Sequence, residues 1–222
     1  MAKTHYLLDR YIIISVAVTG ILVLGGQNAL ACGKGKLLFQ DKFQTVDPRW
    51  QLGAADPTRS VGADGLSYSL APSLQMYPIN QTSLYDDYEL CAEITMSDFN
   101  ETSNSYAGLT FWANDGNNRY TFDFSARYGT YVVYRVQKGK LLVQIPWGLT
   151  AAINKGSGVV NELSVAVRGN HAVFSINNQK VVEFDGQAPD GGSAIGFFLM
   201  TPKDDQGPTV FGIRNLEVRA LQ

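Results

Sequence analysis

Residues 161–184 read NELSVAVRGNHAVFSINNQKVVEF, and this stretch decides the fold. Leu163, Val165 and Val167 alternate with Ser164, Ala166 and Arg168, the period of two in which successive side chains point to opposite faces of a strand. Gly169-Asn170 follows, two residues that tolerate the positive φ of a tight hairpin turn. Ala172, Phe174 and Ile176 resume the apolar face, and Asn177-Asn178 turns the chain into a third run at 180–184. A meander with one apolar face has to bury that face, so the stretch predicts one wall of a packed β structure.

The same rhythm extends outward. LLFQDKF at 37–43 reads as the first strand, and Trp50, after the Asp47-Pro48 turn, as a plug over one end of the core. Residues 53–65 read as loop, 66–70 and 74–77 as short strands. In the long strand predicted at 88–96, Tyr88, Leu90, Ala92, Ile94 and Met96 share one face and Glu89, Cys91, Glu93 and Thr95 the other. After a polar connection at 97–105, residues 106–113 set Leu109 and Phe111 inward with Thr110 and Trp112 opposite. NDGNN at 114–118 is a hairpin turn, and 119–125 then puts Tyr120, Phe122 and Phe124 on one face, Arg119, Thr121 and Asp123 on the other. Strands follow at 131–136 and 141–145, an irregular segment at 146–158 with a short helical turn around 149–153, then strands at 194–200 and 209–221. Short strands, Gly/Asn/Asp turns and no long helix predict an all-β, two-sheet antiparallel sandwich.

The first 31 residues differ from the rest. A start carrying Lys3 and Arg10, an apolar run at 11–24 and Ala29-Leu30-Ala31 form a secretory signal peptide. The run is shorter than the ~20 residues of a membrane span. One domain, 32–222, is left, expected in the periplasm or outside a bacterial cell. Without Lys3, Asp9 and Arg10 it holds 16 basic and 19 acidic residues, a net charge of −3, which argues against nucleic acid as a partner. The two cysteines, Cys32 and Cys91, are expected to pair in an oxidising compartment. The competing reading is lipidation of Cys32, the first mature residue, although Ala29 stands where a lipobox usually has leucine. The membrane therefore enters only through the signal peptide or a lipidated Cys32.

LFQDKF, AGLTFWANDGNNRYTFDF, GTYVVYR, NELSVAVRGNHAVFSINNQKVV, AIGFF and FGIRNLEV, in that order over 36–221, resemble the concanavalin A-like jelly rolls grouped as 3-keto-disaccharide hydrolase domains, with laminin G-type relatives. The resemblance rests on strands and turns. It implies two antiparallel sheets with the first and last strands adjacent, and a link to carbohydrate, but the scaffold serves hydrolases and non-catalytic binders alike.

The residues offer little conventional catalytic apparatus. His171 is the single histidine after residue 31 and belongs to a hairpin turn; no nucleophile elbow or zinc motif accompanies it. Glu89 and Glu93 share a strand face, but four strand residues span about 13 Å, beyond the roughly 5–9.5 Å of paired glycosidase carboxylates. Asp115 in the NDGNN turn suits turn chemistry better than calcium, which wants six or more oxygens; no cofactor is expected. The best candidate site is the polar-aromatic face of the central strands: Thr110, Trp112, Arg119, Thr121 and Asp123, joined by Tyr131 and Arg135 and edged by Trp147. YVVY at 131–134 is apolar on both faces, which leaves its register open. Three functions fit: an exported carbohydrate-binding jelly roll without catalysis, a periplasmic 3-keto-glycoside hydrolase or lyase, and an envelope structural or interaction module. In the second, the keto group acidifies its neighbouring C–H, so Asp123 as base and Arg119 as electrophilic donor suffice.

Overall fold

The strand pattern of the sequence closes into two sheets. The computed structural model describes residues 32–50, 52, 58–97 and 103–221. The expected signal peptide, and parts of the connections at 53–65 and 97–105, lie outside the described residues. The strands are β1 (Leu37–Asp41), β2 (Arg59–Gly62), β3 (Gly65–Leu70), β4 (Gln75–Met76), β5 (Ile79–Tyr85), β6 (Tyr88–Ser97), β7 (Tyr106–Asp115), β8 (Asn118–Ser125), β9 (Thr130–Gln137), β10 (Lys140–Leu149), β11 (Asn161–Arg168), β12 (His171–Ile176), β13 (Gln179–Asp185), β14 (Ser193–Met200) and β15 (Thr209–Ala220).

The first sheet runs β13-β12-β11-β6-β15-β3-β2, with β1 also paired to β15; the second runs β10-β9-β8-β7-β14-β4, with β5 on β14. Every pairing is antiparallel, and the first and last strands are neighbours, as the resemblance implied. The meander at 161–184 is β11-β12-β13, and Leu163, Val165, Val167, Ala172, Phe174 and Ile176 are fully buried between the sheets. They meet Phe111 and Phe122 of the second sheet, whose rings lie 5.3 and 4.7 Å from that of Phe174. Each such aromatic contributes about 1.5–3 kcal/mol by burial. Trp50 plugs the core end as expected: its ring lies 5.4 Å from Phe43 and 5.5 Å from Phe197, and Nε1 donates to Asp41 Oδ2 at 2.8 Å.

Cys32 and Cys91 form a disulfide, with Cα atoms 5.8 Å apart and a sequence separation of 59. Closing a loop of that length is worth about 4 kcal/mol in the chain-entropy model, and it leaves Cys32 no thiol for a lipid. Three local expectations are corrected. The segment read as loop at 53–65 contributes β2, which pairs with β3. The strand β5 was not expected at all. No helical turn forms at 149–153; β10 continues to Leu149 through two register shifts against β9. β10 is an edge strand, where Pro146 needs no ladder donor and bulges are tolerated.

Candidate functional site

Register decides which side chains leave the core. In the β7–β8 ladder Gly108 opposes Asp123 and Thr110 opposes Thr121; in β8–β9 Thr121 opposes Tyr134 and Arg119 opposes Val136. Across β14, Phe198 opposes Gly108 and Met200 opposes Tyr106. Directly opposed residues share a face. Because Tyr120, Phe122 and Phe124 fill the core, these residues belong to the outer face of the second sheet.

There they line a cavity of about 250 Å³ containing Arg119, Thr121, Asp123, Tyr77, Tyr106, Tyr134 and Phe198. A second hollow of about 510 Å³ adjoins it, sharing Tyr106 and Tyr134 and adding Ser125, Tyr128, Trp147 and Leu149. Together they make a cleft with a polar inner end and an aromatic outer end. The Trp147 ring stands edge-on to Tyr106 at 5.6 Å and to Tyr134 at 6.5 Å, and Trp147 remains 43 % exposed.

Asp123 is fully buried. Thr121 Oγ1 donates to its Oδ2 at 2.8 Å, while Oδ1 has no partner among the described residues. Burial pushes the Asp123 carboxyl up to about 8 against the pull of that hydrogen bond and of Arg119, so at neutral pH it is mostly a neutral acid. Gly108 makes this possible, because a Cβ there would collide with the Asp123 carboxyl and the Phe122 carbonyl oxygen. Arg119 is only 6 % exposed. Its guanidinium lies over the Tyr77 ring at 4.5 Å and near Phe198 at 5.8 Å. Nε is buried without a hydrogen-bond partner, and burial lowers the group's pKa. Tyr106 and Tyr134 are raised, chiefly by burial, and stay neutral phenols.

The structure thus brings Arg119, Thr121, Asp123 and Trp147 to one cleft. Thr110 shares their face but is fully buried outside the lining, with Oγ1 unpartnered. Trp112 is displaced into the core. The β7–β8 register shifts between Phe111 and Asp115, Trp112 takes a φ of 44°, and its ring packs at 5.2 Å from Phe111 and 5.3 Å from Tyr120. A bulge re-aims one side chain in this way. Tyr131 also faces inward, packing on Phe122 with its hydroxyl donating to the Val181 carbonyl. Arg135 lies over the Tyr120 ring at 5.3 Å and, with Trp112, lines a third hollow that shares Arg119 and Val136 with the first cavity. Tyr77, Tyr106, Tyr134 and Phe198 were not anticipated. Tyr106 stands four residues before Thr110, an even spacing that assigns it to the same face; Tyr134 could not be found, since YVVY carries no alternation.

The other polar candidates are used structurally. Glu89 accepts from the Gly33 amide, and Glu93 holds Asn215 and Arg214. His171 is exposed between Asp185 and Glu183, which raise its pKa. Asp115 accepts from the Asn117 amide and the Asn118 side chain, as turn chemistry requires. Among the described residues, the one group of three metal-ligating side chains is Cys32, Glu89 and Cys91, whose sulfurs are committed to the disulfide.

No protein-family model and no curated protein matches this sequence. Solved structures do match in fold. The carbohydrate-binding module CBM66 from Bacillus subtilis aligns at 14 % identity and a TM-score of 0.58, over 73 % of this chain and 91 % of that one. A Bacillus licheniformis beta-glucanase aligns at 10 % identity and 0.60, over 86 % and 100 %. A Bacteroides ovatus family 16 glycoside hydrolase, solved with a G4G4G3G product, aligns at 14 % and 0.59, over 82 % and 100 %. The chain has the same concanavalin A-like jelly-roll architecture as these proteins.

Proposed function

We propose that this protein is an exported carbohydrate-binding jelly roll whose ligand occupies the cleft on the second sheet. The observation carrying the reading is the make-up of that cleft. A buried strip of hydrogen-bonding groups, Arg119, Thr121 and Asp123, runs into a wall of Tyr106, Tyr134 and exposed Trp147. Sugars present apolar C–H faces and hydroxyl rims, and such a cleft meets both. The likeness in fold to a carbohydrate-binding module and a beta-glucanase supports the same reading, and the disulfide supports an oxidising compartment outside the cytoplasm. Calorimetric titration of residues 32–222 with gluco-oligosaccharides should give saturable binding in the millimolar range or tighter, weakened severalfold by Trp147→Ala. Failure to bind any glycan on an array would refute it and leave the third function, with the exposed Leu141, Val143 and Leu149 of edge strand β10 as its contact surface.

A second reading, a 3-keto-glycoside hydrolase or lyase, is favoured by one observation: Asp123, with a carboxyl raised to about 8, stands in the cleft near Arg119. In its carboxylate form Asp123 would take the proton from the carbon beside the keto group. The C–H pair forms the new double bond, and the glycosidic oxygen leaves with its electron pair and takes the proton that Asp123 has just received, which restores the carboxylate. Incubation with 3-keto-trehalose should then release a reducing sugar, at a rate rising with pH toward 8 and lost in Asp123→Asn. Unconsumed keto-sugar rules the reading out.

A further inference from the structure

Charged groups that this fold buries are ordinarily compensated. Asp205 accepts from the hydroxyls of Ser103 and Ser105 and from the Asn104 amide. Glu217 accepts from Gln40 and Arg219. Arg119 departs from the rule: it is almost fully buried, yet no hydrogen bond or ion pair among the described residues engages its guanidinium, which rests only on the rings of Tyr77 and Phe198. An uncompensated buried charge is costly, so the position is built for a counter-charge that arrives from outside.

The nearest carboxyls do not supply one. Asp123, on the same face of β8, is mostly neutral at pH 7 because burial raises it, so it neither cancels the guanidinium nor repels an anion. Asp115, the other acid felt by Arg119, is turned to the Asn117 amide and the Asn118 side chain in the β7–β8 turn. Burial raises Tyr106 and Tyr134 of the same lining and keeps them neutral phenols, and Tyr77 meets the guanidinium with the face of its ring. The inner end of the cleft therefore combines one cation, hydroxyl-bearing side chains and the unpartnered Oδ1 of Asp123 in about 250 Å³. That is space for roughly eight waters, or about one sugar ring.

We propose that this inner end is a subsite for an acidic sugar, a uronic-acid ring whose carboxylate pairs with the fork of Arg119 while its hydroxyls meet Asp123 and Thr121. The inference rests on the sugar-binding reading and names its ligand class. A guanidinium matches a carboxylate through two parallel hydrogen bonds, and the rings of Tyr106 and Tyr134 border the space the sugar ring fills.

Methyl β-glucuronide and methyl β-glucoside differ only in the carboxylate at the ring's exocyclic carbon, so they isolate the contact. Calorimetric competition at pH 6 and low salt should give a dissociation constant about tenfold lower for the glucuronide, equivalent to about 1.4 kcal/mol. The advantage should shrink as salt rises. Arg119→Gln should abolish the difference between the two probes, and Arg119→Lys, which keeps the charge without the fork, should retain part of it. Near-UV circular dichroism establishes that the variants are folded, and the wild-type comparison needs no variant. Equal affinities, or preference for the glucoside, overturn the acidic-sugar subsite while leaving the sugar-binding reading intact. If neither probe binds and neither neutral nor acidic oligosaccharides bind, both fall together.

Discussion

Replacing Asp123 by Asn should make the protein more stable at neutral pH and no more stable in acid. The Asp123 carboxyl titrates near 8 in the folded chain and near 3.9 when unfolded. Between those values the unfolded state has lost a proton that the folded state keeps, so stability falls by about 1.4 kcal/mol per pH unit. The contribution is fully present below about pH 4 and is lost as pH rises through about 8. At pH 7, three units above the unfolded value, the cost is about 4 kcal/mol. Asn mimics the protonated acid: Thr121 Oγ1 can still donate to its oxygen, and the amide replaces the O–H in the space left by Gly108. Asn does not titrate, so the cost disappears.

For a domain of this size 1 kcal/mol moves Tm by about 2–4 °C, which predicts a gain of roughly 8–16 °C at pH 7 and none at pH 4. Urea and thermal unfolding of both proteins from pH 4 to 8.5, with the disulfide intact, measure it; subtracting the curves removes the other carboxylates. A difference independent of pH, or an Asn variant less stable than wild type at pH 8, would refute the account of Asp123 as a buried neutral acid. A stabilising replacement at a cleft residue is also what a site selected for binding or chemistry over stability should show.

Trp112→Ala should cost about 3–5 kcal/mol in urea denaturation, as a fully packed aromatic does, whereas Trp147→Ala should change stability by no more than about 0.5 kcal/mol. Cys91→Ser, or reduction of the exported protein, should lower stability by about 4 kcal/mol, read as a shift in the urea midpoint.

What the sequence made legible follows from how each strand is covered. β6, β8, β11 and β12 pack one face on the core, so their apolar residues recur at every second position and their inward sets were predicted correctly. β9 is covered on both faces. Val132 lies under the cleft side and Val133 under the core side, both fully buried, and no alternation remains to fix the register. That is why the sequence points to Tyr131 while the residue that lines the cleft is Tyr134. Trp112 failed for a different reason. A two-residue turn at Gly116-Asn117 pairs Asp115 with Asn118, and counting back from it would set Phe111 opposite Phe122. Phe111 instead opposes Tyr120, and the two-residue discrepancy is the bulge that swings Trp112 inward. Both alternatives place an aromatic opposite Phe111, so hydrophobicity could not choose between them. The meander at 161–184 identified the sandwich, yet the candidate site lies on the opposite sheet, where Arg119 and Asp123 are buried polar groups left without full partners among the described residues. Alternation could say which face they occupy. Only the packing of Tyr77, Phe198 and Gly108 around them could say that they are desolvated, and desolvation is what marks an ordinary Arg and Asp as a candidate site.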